Sequence, residues 1–486
     1  MTHLRIPTRP TSLLATLALL ATPACFNPDD ATVDTDPMGS SDGSGSEEST
    51  ATMGTTDPAT TTSPTTNPTD PTSGADTGST TTDDPTSTTN DPTDPATGSE
   101  TGDPPAACDD GNADPGELCP PNAPETVITG MGVNPTDLVL ARLQGADRVD
   151  VITISPADNA IFVAPSDGAG GFGPPISADV GNGGGGGGGG PGFLAATDLE
   201  PDGDIDIVAG ASRQAVWLLN NGVGAFQGGG FVDLGFGGPE GMGVGNMDLD
   251  PAIDIVATEG YNTNVFLGRM SGGNYIAGPS GGGSDGSVQA TGGDSHVAVT
   301  EFGFDGDGFA DVVVASRFGG GGVVPVRGNG DATFTGGLGT DIPMCGEAGC
   351  EPTDLAAADL DGDGEVEILM THSAGVSIAP GVGDGTWGPV MVVPASGSVD
   401  VDVVDLNNDD ILDVMIVSAD EDDPALFLAL GNGDGTLAEL VTMPLMGRPT
   451  AADVSDFNGD GAPDIAVAHS ATEDHQGGVA IFLMVP

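Results

Sequence analysis

The sequence predicts an all-β fold, a seven-bladed β-propeller of four-stranded antiparallel blades, with a disordered N-terminal tether ahead of it. Three observations predict it. A pattern of oxygen side chains at alternate positions, followed by a short apolar run, recurs seven times. The copies lie 46–57 residues apart, a period that belongs to repeat architectures. No amphipathic pattern of helix length falls between them.

The cleanest copy is Asp456-Phe457-Asn458-Gly459-Asp460-Gly461-Ala462-Pro463-Asp464, followed by Ile465-Ala466-Val467-Ala468. Oxygens at Asp456, Asn458, Asp460 and Asp464 converge only if the backbone curls, and Gly459 and Gly461 permit that curl. Clustered carboxylates repel one another, so a hard cation between them is expected. Calcium, which takes six to eight oxygens in flexible geometry, suits the set. Upstream copies carry Asp405, Asn407, Asp409 and Asp413, then Asp359, Asp361, Asp363 and Glu367. The next begins with Gly303 and keeps Asp305, Asp307 and Asp311. Earlier copies carry Asn246, Asp248, Asp250 and Asp254, then Asp198, Glu200, Asp202 and Asp206. An eroded first copy aligns on Asp150, with Arg142, Gln144 and Ala146 at the other places. Six of the seven units therefore have the oxygens for a metal.

Taken in order, the chain opens with Arg5 and Arg9 ahead of an apolar core, Leu13 to Ala21, then small residues and Cys25. Residues 1–24 read as an export signal, too short for a membrane span. Thr22-Pro23-Ala24-Cys25 resembles a bacterial lipoprotein cleavage box, which implies lipidation at Cys25 and attachment to the membrane only through that anchor. Residues 25–105 are mostly Thr, Asp, Pro, Ser and Gly. Such a segment has too little apolar surface to offset its ordering entropy. It reads as an extended spacer, stiffened by proline and stretched by like charges.

Residues 106–121 form a short segment in which Cys108 and Cys119 bracket an Asp- and Gly-rich stretch. It resembles a short Cys-rich repeat of surface proteins from myxobacteria and their relatives. A local disulfide is expected there, and another between Cys345 and Cys350 around Gly346-Glu347-Ala348-Gly349; both suit an exported chain.

Residues 122–486 hold the repeats. In the fifth, Thr353 to Ala358 reads as strand one, Asp359 to Glu367 as the loop, Glu367 to Thr371 as strand two and Val376 to Ala379 as strand three. Gly383-Asp384-Gly385-Thr386 reads as a turn, with Trp387 opening strand four. The turn and its aromatic recur at Phe172, Phe226, Tyr275 and Phe334, with Leu437 in the sixth unit. An aromatic at a fixed place in every unit is expected to pack between neighbouring sheets. The stretch Gly281 to Asp294 reads as an insertion before the fourth unit, and Gly183 to Gly190 as a glycine excursion. The last unit ends after a third strand, Val479 to Met484, while Glu125 to Thr129 is a spare strand ahead of unit one. Paired, these two would close the ring, which leaves only short protected edges.

The cores Asp359-Leu360-Asp361-Gly362-Asp363-Gly364, Asp405-Leu406-Asn407-Asn408-Asp409-Asp410 and Asp456-Phe457-Asn458-Gly459-Asp460-Gly461 resemble the integrin-alpha-type FG-GAP and VCBS repeat family of β-propellers. The later Gly431-Asn432-Gly433-Asp434-Gly435-Thr436 matches it as well. The resemblance implies a loop that joins the first two strands of a blade and holds calcium. It implies a weaker site where Gly303 replaces the first ligand and an empty one in unit one.

The chain has 73 acidic residues against 9 basic ones, all Arg, and a formal net charge of −64. That balance argues against nucleic acid or an anionic membrane surface as a partner. The sequence contains no HExxH or Walker A pattern. His372 and His469 each follow a second strand and read either as surface polar groups or as ligands of a shared site. The favoured expectation is a monomeric, calcium-stabilised binding or adhesion module on the outer membrane surface or secreted, recognising an extracellular protein or glycan. The alternatives are a structural exoprotein and a polysaccharide-cleaving enzyme on a propeller scaffold. Trp217 and Trp387 are the only tryptophans, which weakens a case for carbohydrate stacking.

Overall fold

The computed structural model describes residues 118–485 apart from 119, 122, 146–147, 181–191, 212, 227–228, 235–240, 260–261, 272–273, 279–285, 289–293, 301–302, 317–320, 337–341, 346–349, 384 and 473–475. The expected export signal, Cys25, the spacer, the Cys108–Cys119 bridge and the run Gly183 to Gly190 lie outside the described residues.

Seven four-stranded antiparallel sheets make the blades of a propeller. Blade 1 contains Asp137–Ala141, Asp150–Ser155, Ala160–Ala164 and Ile176–Asp179; blade 2 contains Phe193–Thr197, Asp206–Ala211, Gln214–Leu218 and Gly230–Asp233. Blade 3 contains Gly241–Gly245, Asp254–Glu259, Asn262–Phe266 and Gly286–Val288; blade 4 contains Asp294–Thr300, Asp311–Ser316, Gly322–Gly328 and Phe334–Gly336. Blade 5 contains Pro352–Ala358, Glu367–His372, Gly375–Ala379 and Met391–Pro394; blade 6 contains Ser398–Val404, Asp413–Ser418, Ala425–Ala429 and Val441–Pro444. Blade 7 contains Arg448–Ser455, Asp464–Ser470 and Gly478–Phe482, and takes its fourth strand from the other end of the fold, Thr126–Thr129. The closing register pairs Thr126 with Ile481 and Thr129 with Gly478, as the spare strand predicts.

The burial patterns follow from the ring. Second strands such as Asp311–Ser316 and Asp413–Ser418 are buried at every position, because neighbouring blades cover both faces. Their sequences, DVVVAS and DVMIVS, are accordingly runs of β-branched and apolar residues without alternation. Fourth strands are mostly exposed, as in Met391–Pro394 and Ile176–Asp179. The core is divided into seven apolar clusters, one between each pair of adjacent blades. Leu118, from the segment just ahead of the ring, is buried in the cluster between blades 6 and 7.

Two strand assignments are corrected. Trp387 does not open the fourth strand of blade 5; it makes an isolated bridge with Gly381, and the strand begins at Met391. The Trp387 ring instead packs edge-on against Phe304 of blade 4, with centroids 5.1 Å apart. Tyr275 does not lead into the fourth strand of blade 3. It lies in a separate hairpin, Gly268–Ser271 with Asn274–Ala277, and the fourth strand is Gly286–Val288, within the stretch that reads as an insertion. The Tyr275 ring packs against Trp217 of blade 2 at 5.5 Å, and Phe172 of blade 1 against Phe457 of blade 7 at 5.4 Å. The recurrent aromatics are thus wedges between blades, as expected.

Cys345 and Cys350 form a disulfide with Cα atoms 5.7 Å apart, closing the short loop that leads into blade 5. His372 is buried rather than a surface group. Its Nε2 lies 2.9 Å from Ser377 Oγ, which donates to Met344 O, while its Nδ1 accepts from the Ala374 amide. Burial pushes its pKa below the usual imidazole value.

Candidate functional site

The loop joining the first two strands of each blade is numbered here from its first oxygen position, so that the strand-two acid is position nine. The loops curl because their carboxylates capture backbone amides further along the same turn. In blade 5, Asp359 accepts from the Asp363 and Gly364 amides, Asp361 from the Asp363 amide, and Asp363 from the Glu365 amide. Blade 6 repeats this with Asp405, Asn407 and Asp409. Blade 7 repeats the position-three and position-five bonds with Asn458 and Asp460, while Asp456 accepts from the Gly459 and Gly461 amides. Blade 3 keeps the position-three and position-five bonds through Asp248 and Asp250. Side-chain amides join in, Asn407 donating to Asp409 and Asn458 to Asp460.

In blade 5 the first three oxygen positions are brought together. Ligand atoms of Asp359, Asp361 and Asp363 lie within 4.8 Å of one another. In blade 2, Asp198 Oδ1 and Glu200 Oε2 are buried with no hydrogen-bond donor. Burial, with the nearby Asp202 charge, raises the pKa of both carboxyls. Donor-free buried oxygens in an all-oxygen acidic set fit a hard cation. On the same donor chemistry, the oxygens at positions one, three and five could hold such an ion in blades 3, 5, 6 and 7.

The position-nine acid does something the sequence reading missed. Each is buried, and each splits its two oxygens between two backbone amides. One oxygen accepts from the position-two amide: Leu199, Met247, Phe304, Leu360, Leu406 or Phe457. The other accepts from the residue two places beyond strand three, Asn220, Gly268, Gly381, Gly431 or Met484, or in blade 4 from Gly328, which closes that strand. The twelve distances run from 2.6 to 3.1 Å. Asp206, Asp254, Asp311, Glu367, Asp413 and Asp464 are therefore latches tying the loop to the far end of the third strand. An ionised carboxylate has about four lone-pair positions, so a latched acid retains capacity for a metal.

The eroded loop of blade 1 isolates this role. It has lost the oxygens at positions one and five but keeps Asp150, whose Oδ1 accepts from the Ser166 amide at 2.8 Å and from Gln144 Nε2 at 3.2 Å. Asp150 Oδ2 is buried without a hydrogen-bond partner, so what persists without the metal set is the half of the latch that holds the amide beyond the third strand.

Burial, opposed by the two amide bonds, pushes Asp206, Asp254 and Asp413 up to about 7 and Asp311 and Asp464 up to about 6; the loop carboxylates add to the rise. Glu367 and Asp150 are raised for the same leading reason.

The loops are also keyed to the next blade. The position-two side chains are buried between blades. Their carbonyls accept amides from the neighbour, Leu143 O from Gly224, Met247 O from Ala332 and Phe457 O from Gly170. Asn408 Nδ2 in the blade 6 loop donates to Gly461 O in that of blade 7.

A second set of buried acids lies on the first strands and has no counterpart in the sequence reading. Asp137 accepts from the Leu194 amide, Asp354 from Val401, Asp400 from Ala452 and Asp453 from Leu140. Each bond crosses from one blade to the next. The only sequence signal is an acid inside an otherwise apolar strand, as in Thr353-Asp354-Leu355.

Comparison with known proteins adds the following. The profile described as an FG-GAP-like repeat matches residues 303–370, 359–416 and 405–467, each match spanning two successive loops. No curated protein matches the chain. Among solved structures, a lectin of Agrocybe aegerita described as recognising non-reducing terminal N-acetylglucosamine is 18% identical, over 64% of this chain and 81% of that one, with a TM-score of 0.46. BBS1N, solved in complex with ARL6DN, is 11% identical, over 75% and 97%, with a TM-score of 0.49. The Photorhabdus luminescens Tc holotoxin pore is 14% identical, over 76% of this chain and 15% of that one, with a TM-score of 0.38.

Proposed function

We infer, from the premise that this chain is a seven-bladed β-propeller carrying FG-GAP-like repeats, that it is a calcium-stabilised binding module displayed outside the cell. The observation that carries the reading is the repetition of one curled, all-oxygen loop in blades 2, 3, 5, 6 and 7, each beside an interface between blades. An active site is singular and asymmetric, with two carboxylates across a cleft in the glycoside-hydrolase case. Here the acids recur in the same roles from blade to blade, and those at position nine are engaged by backbone amides.

The ligands would be Asp198, Glu200, Asp202 and Asp206 in blade 2, and Asn246, Asp248, Asp250 and Asp254 in blade 3. Asp359, Asp361, Asp363 and Glu367 would serve in blade 5, Asp405, Asn407, Asp409 and Asp413 in blade 6, and Asp456, Asn458, Asp460 and Asp464 in blade 7. Bound calcium supplies positive charge that relieves carboxylate repulsion within the loop. The position-nine latch then holds the loop on its own blade, and the position-two carbonyl holds the neighbour. Recognition of a protein or glycan falls to the exposed loops of the ring, with lipidation at Cys25 and the acidic spacer holding the head away from the membrane.

The test is a glycan array and a panel of purified cell-surface polymers, probed with calcium-loaded and chelated full-length protein. Saturable binding to one class, lost on chelation, is expected. Absence of binding by the calcium-loaded protein would leave a structural exoprotein, and release of reducing ends from a polymer would make it an enzyme.

A further inference from the structure

Blade 4 departs from its neighbours at two places at once. Its loop begins with Gly303, where the loops of blades 2, 3, 5, 6 and 7 have Asp or Asn. The second departure is in the third strand, immediately before the residue whose amide the latch acid holds. At that place the other blades have Pro165, Leu219, Leu267, Pro380, Leu430 and Leu483, whereas blade 4 has Arg327. The two departures meet in space. Arg327 Nε lies 3.5 Å from Asp305 Oδ2, the position-three oxygen of the same loop. Its Nη2 donates to Gly385 O in the turn of blade 5, at 3.3 Å.

The approach to blade 5 is close. A Cβ on Gly385 would stand 2.1 Å from Arg327 Nη2 and would push the guanidinium aside, and the glycine's φ of +71° is one that glycine adopts most readily. The equivalent glycine of the next blade lies against the position-three side chain at other interfaces as well. Gly435 faces Asp361, Gly170 faces Asn458 and Gly224 faces Gln144. The place between a loop and the next turn is thus a recurring feature of the ring, and in blade 4 a guanidinium occupies it.

We propose that Arg327 is the resident cation of blade 4: it serves the loop where calcium serves the neighbouring loops, and it ties blade 4 to blade 5 without metal. The proposal rests on the calcium reading of those neighbours. A guanidinium is always charged and presents several donors in a planar fork, so one side chain can neutralise Asp305 and bond a carbonyl of the next blade. With no side-chain oxygen at position one, the loop offers a divalent ion one ligand fewer than the loops of blades 2, 3, 5, 6 and 7.

The test counts calcium per chain by native mass spectrometry and follows melting with calcium and with chelator, on full-length protein. Wild type is expected to bind five ions. The double variant G303D/R327L restores the neighbours' residues, and because Gly303 has φ +70° and a Cβ there would stand 2.5 Å from Phe309 O, the loop must shift to the neighbours' curl as it takes the expected sixth ion. R327L alone installs the residue of blades 2, 3, 6 and 7, and should lower the melting temperature by about 1–2 °C, equally with and without calcium. R327K keeps the charge and should keep the count at five. The proposal is overturned if wild type binds six ions and D307A removes one, since blade 4 would then load metal beside the arginine. It is also overturned if R327L melts like wild type in both conditions. Zero calcium in every variant would defeat the calcium reading of the other loops, while the R327L melt in chelator would still decide whether Arg327 ties the two blades.

Discussion

Asp150 offers the cleanest test of the latch, because its blade lacks the metal set. Replacing it with alanine removes the acceptor of the Ser166 amide, a residue only 3% exposed, and of Gln144 Nε2. A buried donor left without an acceptor costs about 1–3 kcal/mol. Gln144 is half-buried and can turn to water, so a single orphaned amide dominates. Against this, alanine removes a carboxyl whose pKa is already raised by burial, which returns part of the desolvation cost. The net expectation for Asp150→Ala is a loss of about 2 kcal/mol, or about 2–4 °C in melting temperature for a domain of this size. Asp150→Asn retains an Oδ1 acceptor without the charge and should stay within about 0.5 kcal/mol of wild type. Both values come from thermal and urea unfolding, with saturating calcium and with chelator, and the loss should be the same in the two. An alanine variant as stable as wild type, or a loss seen only with calcium, would refute the latch.

Other expectations follow from the same geometry. Asp206, Asp254 and Asp413 stand at about 7 and Asp311 and Asp464 at about 6, above their unfolded values. The metal-free fold therefore binds more protons than the unfolded chain, and its stability falls as pH rises through those values. In chelator the protein should melt higher at pH 5 than at pH 7.5, and a melting temperature that climbs with pH would contradict this. In saturating calcium the order should flatten or reverse, because ligation needs the deprotonated acids. Leu249, in the blade 3 loop, is exposed and has φ +65°, a backbone region that costs an ordinary side chain about 1–2 kcal/mol. Leu249→Asn should stabilise the protein by up to about 1 kcal/mol, and a lower melting temperature would show that the conformation carries no strain. Cys25→Ala should release the protein from the membrane fraction or block its processing; unchanged fractionation, with no acyl mass on wild type, would remove the anchor.

The ring and its loops were legible because their signals are local. Asp456-Phe457-Asn458-Gly459-Asp460-Gly461 encodes its own curl, and the spare strand at Thr126–Thr129 announces closure from its position in the chain. What escaped were features set by partners distant in sequence. Trp387 resembles the start of a strand, but its place is decided by Phe304 in the preceding blade. The fourth strand of blade 3 has the sequence Gly-Ser-Val, which carries no strand signal and pairs because the third strand offers an edge. Asp354, Asp400 and Asp453 look like interruptions of apolar strands until the amides of the adjoining blade are seen. Position nine was read only as a ligand, since nothing in its spacing reveals the amide beyond the third strand that it also holds.

The central claim is that calcium belongs to the folded ring, and counting the ions tests it most directly. Native mass spectrometry of full-length protein, paired with melting before and after chelation, is the measurement. The account predicts five calcium ions, one for each of blades 2, 3, 5, 6 and 7, and a large fall in melting temperature when they are removed. No bound calcium, with a melt indifferent to chelator, would contradict it and leave the acidic loops as turns held by their own hydrogen bonds.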